Sequence, residues 1–311
     1  MKVARFLRTN FIAVLLASVT LGFVLPGLEH VPATFMIVFL ATLIFVSSFQ
    51  ISLSEVRLIS PWNPAIFYIL RFPVLAILLW TITNAIYPPL ATAVLLLSLA
   101  PSGVASPGVS SIYRGNVSLS ILAVVLSSFL APFLIPAVLQ LFVARQVDLD
   151  VLSIFRTLVI SVFIPLVAHV PFRKRPVAGW LRKNDALFVV PAIALLVMLV
   201  IAKQKPFILE NALESALFVA VTIVLYLLYY AFGWLLFPGS EQRNRVSYAL
   251  GSGVNNTAIV IVLAYLYFSP EISTFLVSAE LAWVASMVIF KRFLDQRVGV
   301  HPTTSDVVDP G

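Results

Sequence analysis

The sequence predicts an all-α membrane protein whose ten transmembrane helices form two inverted five-helix repeats. Three observations carry that expectation. The mean hydropathy of +1.05, with only 11% charged residues, excludes an ordinary soluble domain. Ten apolar runs are bounded by Pro, Gly or charge, and each is close to the roughly 20 residues that a bilayer span needs. Finally, the tripeptide Ser102-Gly103-Val104 in the fourth run recurs as Ser252-Gly253-Val254 in the ninth.

The expected spans lie near 11–26, 33–50, 64–86, 89–113, 117–142, 151–170, 186–202, 212–237, 246–268 and 271–293. The first follows the basic segment with Lys2, Arg5 and Arg8, and reads as a retained helix rather than a cleaved leader. The third contains Arg71 within "YILRFPVLAILLW". The fifth and sixth carry Pro132, Pro136 and Pro165, which read as kinks. Arg156 stands near a helix end and can snorkel, and His169 closes the sixth run as an interfacial residue. The tenth contains Glu280 within "FLVSAELAWVASMV". Trp62, Trp80, Trp180 and Trp234 suit interfacial belts.

Because five is odd, a second copy of five helices enters the membrane from the opposite face. Residues 11–142 make the first repeat, 151–293 the second, and 294–311 a polar cytoplasmic tail. Loop charges set the orientation. With the N-terminus inside, the inner segments hold Lys2, Arg5, Arg8, Arg57, Arg114, Arg173, Lys174, Arg175, Arg182, Lys183, Arg243, Arg245, Lys291, Arg292 and Arg297. The outer loops hold only Arg145, Lys203 and Lys205. This bias places both termini in the cytoplasm of a cell whose inner membrane the chain crosses many times. It also accounts for the net charge of +7 without nucleic acid. The loop cluster at 171–185 touches anionic lipid as a secondary effect.

The fourth and ninth runs contain "APSGVASPGV" and "LGSGVNNTAIV". Unwound backbone in a bilayer is tolerated only where protein or a water-filled cavity satisfies it. Two interruptions at corresponding positions point to a midplane binding site, whose half-helix N-termini favour an anion. Asn255, Asn256 and Thr257 supply polar side chains at the second break, and Ser106, Ser110 and Ser111 at the first. The bland reading is close helix packing through small residues.

At these residues the chain resembles the bile acid:sodium symporter family, within the bile/arsenite/riboflavin transporter superfamily. "APSGVASPGVSSIYRGNVSLSILAVVLSSFLAP" is similar to the family's Ala-Pro-Gly-Gly-Thr-Ala-Ser-Asn segment and its sequel, here Arg114-Gly115-Asn116 and Leu119-Ser120. "GSGVNNTAIVIVLAYLYFSP" is similar to the Glu-x-Gly-Met-Gln-Asn-Ser segment. The resemblance implies ten helices, with the fourth and ninth crossing at their unwound middles beside a four-helix panel. It implies alternating access for organic anions, with two sodium ions near the crossing. Ser106 and Ser120 match ligand positions, and Asn255 replaces a Gln. Asn256 retains the Asn bordering the substrate cavity, and Tyr68 stands where the family has a Gln. Pro107 and Val124 replace an Asn and a Thr, and Gly251 occupies the place of the Glu shared by both sodium sites. What remains of the metal site, Ser106, Ser120 and Asn255, is a weak sodium site at best, and Na⁺, H⁺ or no coupling ion stay open as alternatives.

Arg71 and Glu280 are charges at bilayer depth, each costing about 2.5–3.5 kcal/mol on insertion scales. Three readings stay open. Arg71 stands in for sodium or binds the substrate's anionic group; Glu280 serves a proton or cation; or the two pair as a salt bridge. The expected substrate site is Asn255, Asn256, Thr257, Ser106, Arg71 and Tyr68, and the expected ion-coupling set is Ser106, Ser120, Asn255 and Glu280.

The chain reads as a secondary active transporter of a small organic anion with degraded sodium sites. It reads as a monomer or weak oligomer in the lipid bilayer, with no organic cofactor. It has no HExxH pair, no GxSxG elbow and no two acids near each other in mid-membrane, so it is not read as an enzyme. A transport-inactive sensor of the same fold is the alternative. A passive channel is disfavoured, because paired breaks build an occluded site rather than a pore. The orientation has a direct test. A cysteine introduced at Lys174 should resist an impermeant thiol reagent in intact cells, and one at Lys205 should react; the reverse pattern contradicts the charge count.

Overall fold

The computed structural model describes residues 2–50, 62–144 and 149–298. Arg57, Arg145 and the tail from residue 299, all used in the sequence reading, lie outside the described residues, as do the side chains of Lys2, Arg5 and Arg8. Among the described residues the chain is helical throughout, and its only strand-like pairing is an isolated bridge between Ser102 and Asn255.

A short helix α1 (Lys2–Thr9) leads into α2 (Phe11–Val24), and α3 (Thr34–Ser48) follows. Helix α4 spans Trp62–Ile86. The next apolar run is split into α5 (Pro88–Leu99) and α6 (Ser106–Ile112), and α7 (Val117–Phe142) continues from it. Then come α8 (Val151–Phe172), α9 (Pro176–Asn184), α10 (Ala186–Glu210) and α11 (Ala212–Leu235). A second split run gives α12 (Gln242–Gly253) and α13 (Thr257–Tyr267), and α14 (Pro270–Val298) ends the described chain. Among the described residues six helices, α4, α7, α8, α10, α11 and α14, are long and apolar enough to cross a membrane. Helices α2, α3, α5 and α13 are apolar but shorter.

Helix α11 packs along α12 and α14, α10 packs on α2 and α3, and the second half of α4 lies along α5. One continuous apolar core runs through these contacts, from Leu15 and Met36 to Ile259 and Phe275. Small residues allow the closest approaches. A Cβ on Gly233 of α11 would fall on the Tyr248 backbone of α12. A Cβ on Gly22 of α2 would lie 2.7 Å from the Met198 carbonyl of α10.

Two prolines leave local marks. Proline has no N–H to donate, and its ring crowds the carbonyl four residues back. Helix α4 widens into a π-turn at Leu70–Val74, around Pro73. Helix α8 does the same at Val159–Phe163, just before Pro165. Pro132 and Pro136, by contrast, sit inside a continuous α7. Helix α8 is capped by Asp150, whose carboxylate accepts from Ser153 N at 3.0 Å. Hydrogen bonds from the Ser153 hydroxyl and backbone hold that carboxyl below its ordinary pKa.

Several sequence expectations need correction. Helix α10 runs past residue 202 to Glu210, so Lys203 and Lys205 are helical rather than loop residues. Lys203 lies over the Tyr265 ring at 4.3 Å, and Lys205 Nζ donates to the Phe23 carbonyl at 2.9 Å. Each ammonium thus finds a partner that lets the helix continue. The loop at 171–185 contains α9, opened by Pro176 in its first turn, where the missing N–H costs nothing. Helix α14 continues to Val298 into the expected tail, and Lys291 pairs with Asp295 one turn on, at 3.5 Å. His169, expected as an interfacial residue, is buried within the protein. Its Nδ1 meets the Leu166 carbonyl, and its ring stands edge-on to Phe49. Trp234 is also buried, beneath the Arg245 guanidinium at 4.4 Å.

The α11–α12 contact yields a prediction. Gly233→Ala should overpack it at a cost of about 1–3 kcal/mol and lower the melting temperature by several degrees. Gly179→Ala, which meets nothing within 4 Å, should not lower it. Equal melting temperatures for the two variants would contradict the close-packing account.

Candidate functional site

The two split runs meet at their interruptions. Backbone from Ala100 to Ala105 is non-helical between α5 and α6, and from Val254 to Asn256 between α12 and α13. These segments pair with each other: Gly103 N donates to Val254 O at 2.6 Å, and Asn256 N donates to Pro101 O at 2.7 Å. Ser102 N is taken by Ser127 Oγ at 3.0 Å. The unwound backbone therefore satisfies itself within the protein, as the bilayer demands.

The unwound stretches, 100–105 and 254–256, cover only part of the two segments "APSGVASPGV" and "LGSGVNNTAIV" that marked the breaks in the sequence. Ser106 and Pro107 already belong to the first turn of α6, where a proline is suited to the second position. Gly251 and Gly253 remain helical at the end of α12. Their role is close approach. A Cβ on Gly253 would overlap the Tyr230 ring, and one on Gly251 would stand 3.3 Å from Ala123 Cβ and 3.6 Å from the Phe67 ring.

Arg71 sits at the centre. It is fully buried, and the π-turn of α4 carries it. Its Nε donates to Ser252 Oγ at 2.8 Å and Ser252 O at 3.0 Å. Its Nη1 donates to Ser98 O at 2.8 Å, and Nη2 to Ser252 O at 2.8 Å and Asn255 Oδ1 at 3.3 Å. With the Asn255 amide turned over, its nitrogen also donates to Ser252 O at 3.1 Å and its oxygen still accepts from Nη2. The guanidinium plane lies 4.1 Å from the Tyr229 ring centroid. Ser98 O and Ser252 O are among the last carbonyls of α5 and α12, which have no partner inside their own helices. Of the other α12 terminal carbonyls, Leu250 O accepts from Val254 N, and Gly251 O from Ser102 Oγ. Arg71 therefore caps two helix C-termini at once, where their dipoles favour a cation.

Glu280 does not pair with Arg71, which removes the salt-bridge reading. Its carboxylate accepts from Thr257 Oγ1 in the first turn of α13, the positive end of that half-helix. Among the described residues, no lysine or arginine forms an ion pair with it. The two buried charges thus take opposite ends of the second break.

Other sequence-selected residues divide clearly. Ser106 and Ser120 are fully buried, and neither hydroxyl has a hydrogen-bond partner. Asn256 Nδ2 is likewise buried and unpartnered. Tyr68 is not brought to the breaks: its ring stacks near Phe72 at 5.3 Å, beside Phe67, Leu119, Ala123 and Tyr248. Val124 is fully buried in the apolar core.

Ser98 and Tyr229, not singled out in the sequence, surround the guanidinium together with Ser252, which the sequence marked only as part of the repeated tripeptide. Tyr226 and Tyr229 stand three apart on one face of α11, a spacing that could have marked an aromatic wall. Ser110 Oγ and Ser247 Oγ meet at 2.8 Å, and Ser247 Oγ also donates to Asn116 O, tying α6, α7 and α12 together.

Residues 58–208 match the model of the sodium bile acid symporter family. An uncharacterized sodium-dependent transporter of Bacillus subtilis, YocS, is 23% identical over 281 residues, which are 86% of this chain and 85% of that protein. A probable chloroplastic sodium/metabolite cotransporter of rice, BASS2, is 28% identical over 121 residues, covering 37% of this chain and 29% of that protein. An uncharacterized Bacillus subtilis protein, YbaS, is 26% identical over 196 residues, 60% of this chain and 62% of its own length. The resemblance read from the two breaks is borne out by these matches.

Proposed function

For a multi-pass membrane protein whose residues 58–208 are those of the sodium bile acid symporter family, we propose secondary active transport of a small organic anion by alternating access. In this reading the helices form ten spans in two inverted repeats, 11–142 and 151–293, with α5–α6 as the fourth span and α12–α13 as the ninth. Both termini lie in the cytoplasm and the membrane is the inner membrane. The observation that carries the proposal is the pairing of the two breaks, Gly103 N to Val254 O and Asn256 N to Pro101 O. Such a junction of half-helices is where transporters of this construction place their site.

The anion preference rests on the groups at that junction. The Arg71 charge is held by neutral oxygens and an aromatic face, with no carboxylate paired to it among the described residues. The buried Asn256 amide and Ser106 hydroxyl have donors to spare. Arg71 has all three nitrogens engaged and no exposed surface, so it acts through its field while Asn256 and Ser106 make contact, and Thr257 links the site to Glu280. Glu280 is the coupling carboxyl in this account, because it is buried, unpaired by any cation and hydrogen-bonded to Thr257.

The experiment is a melting-temperature screen of small organic anions on purified protein, followed by uptake of each hit into proteoliposomes. An anion that stabilises the protein should also be taken up. A hydrogen bond to a charged group contributes about 1.5–3 kcal/mol, so Asn256→Ala should weaken affinity roughly tenfold or more. Glu280→Gln should flatten the pH dependence of uptake while leaving binding in place. Binding without uptake under every imposed gradient would instead leave the sensor reading standing.

A further inference from the structure

The family's sodium dependence can be tested against the donor set that this chain presents. Sodium is a hard cation that needs several oxygens around it. Where the resemblance places the shared carboxylate, the chain has Gly251, and the space beyond it is filled by Phe67 and Ala123. Pro107 and Val124 bring no side-chain oxygen. The hydroxyls of Ser106 and Ser120 remain, and among the described residues no carboxylate hydrogen-bonds to either. The carbonyl of Ser252 and the amide of Asn255, oxygens of the second break, are already taken by the Arg71 guanidinium. These residues do not fit a sodium ion of the expected kind.

We propose that Arg71 is a tethered cation that takes the place of a coupling sodium ion at the junction of the two breaks, so that this chain needs no sodium to assemble or work its site. The consequence for transport rests on the function proposed above; the consequence for the folded protein does not. Half-helix C-termini and unwound carbonyls are the groups that bind coupling cations in transporters built from broken helices. Arg71 meets such groups on both sides: Ser98 O at the end of α5 and Ser252 O at the end of α12. A guanidinium is tethered to the chain, and its planar fork suits several acceptors in one plane. A mobile ion there could leave during the cycle; a guanidinium on α4 cannot. The bridge between α5 and α12 is then permanent, and coupling passes to another group.

The test compares thermal stability of purified wild-type protein and Arg71→Ala in NaCl, KCl and choline chloride at equal ionic strength. Each is then titrated with low-millimolar guanidinium chloride and, as a neutral isostere, urea. The wild type should melt at one temperature in all three salts. Arg71→Ala should melt several degrees lower, and guanidinium should restore most of that loss while urea restores none. Stabilisation of the wild type by Na⁺ over K⁺ and choline would overturn the proposal. So would a folded Arg71→Ala that guanidinium does not rescue, since the side chain would then only fill space. If Arg71→Ala cannot be purified, the wild-type salt series decides alone. None of these readouts uses transport, so a protein that moves no anion but follows this pattern would sink the transporter reading and leave the tethered cation intact.

Discussion

The structure depends on one buried guanidinium holding two helix ends together. Arg71 donates to Ser98 O and Ser252 O, orphan carbonyls of two different broken helices. Burying its charge costs about 2.5–3.5 kcal/mol on insertion scales. Hydrogen bonds to a charged group return about 1.5–3 kcal/mol each, and Arg71 makes several, with an aromatic face besides. The balance is favourable only because all of these acceptors converge. Removing the charge would leave two helix C-termini close together with unsatisfied carbonyls and negative dipole ends.

The surroundings make sense as conditions for that convergence. The π-turn around Pro73 re-aims Arg71 from α4 into the junction. Gly253 lets the Tyr230 ring approach α12, and Gly103 lets the first break lie 3.1 Å, by its missing Cβ, from Asn255 O. Ser102 bonds to Ser127 and to the Gly251 carbonyl, and so fixes the first break to α7 and α12. At the other end of the second break, Glu280 meets Thr257 at the positive terminus of α13. Three break termini, the C-termini of α5 and α12 and the N-terminus of α13, thus have a charge of complementary sign supplied by the chain.

Much of this architecture was legible in the sequence, for identifiable reasons. Apolar runs placed helices such as Val117–Phe142 and Ala212–Leu235, because membrane helices must be apolar over their length. Pro, Gly and Asn marked both breaks. The positions of the breaks slipped by a few residues, because glycine signals close approach as readily as unwinding: Gly251 and Gly253 stayed helical. Helix ends were misplaced where charges found local partners, as Lys203 did with Tyr265. Arg71 and Glu280 announced themselves as charges at depth, but their partners did not. Bonds to the carbonyls of Ser98 and Ser252 have no side-chain signature, so the sequence left a salt bridge open that the geometry replaces. Tyr68, selected by counting along the chain, sits in an aromatic cluster instead.

The central claim is that the cation at the junction belongs to the chain. Equilibrium binding of radioactive ²²Na⁺ to purified wild-type protein, with and without excess unlabelled Na⁺, tests it most directly. The account predicts no saturable, displaceable binding at the concentrations that load sodium-dependent transporters. Saturable binding of one or more sodium ions per chain, abolished by Ser106→Ala or Ser120→Ala, would contradict it.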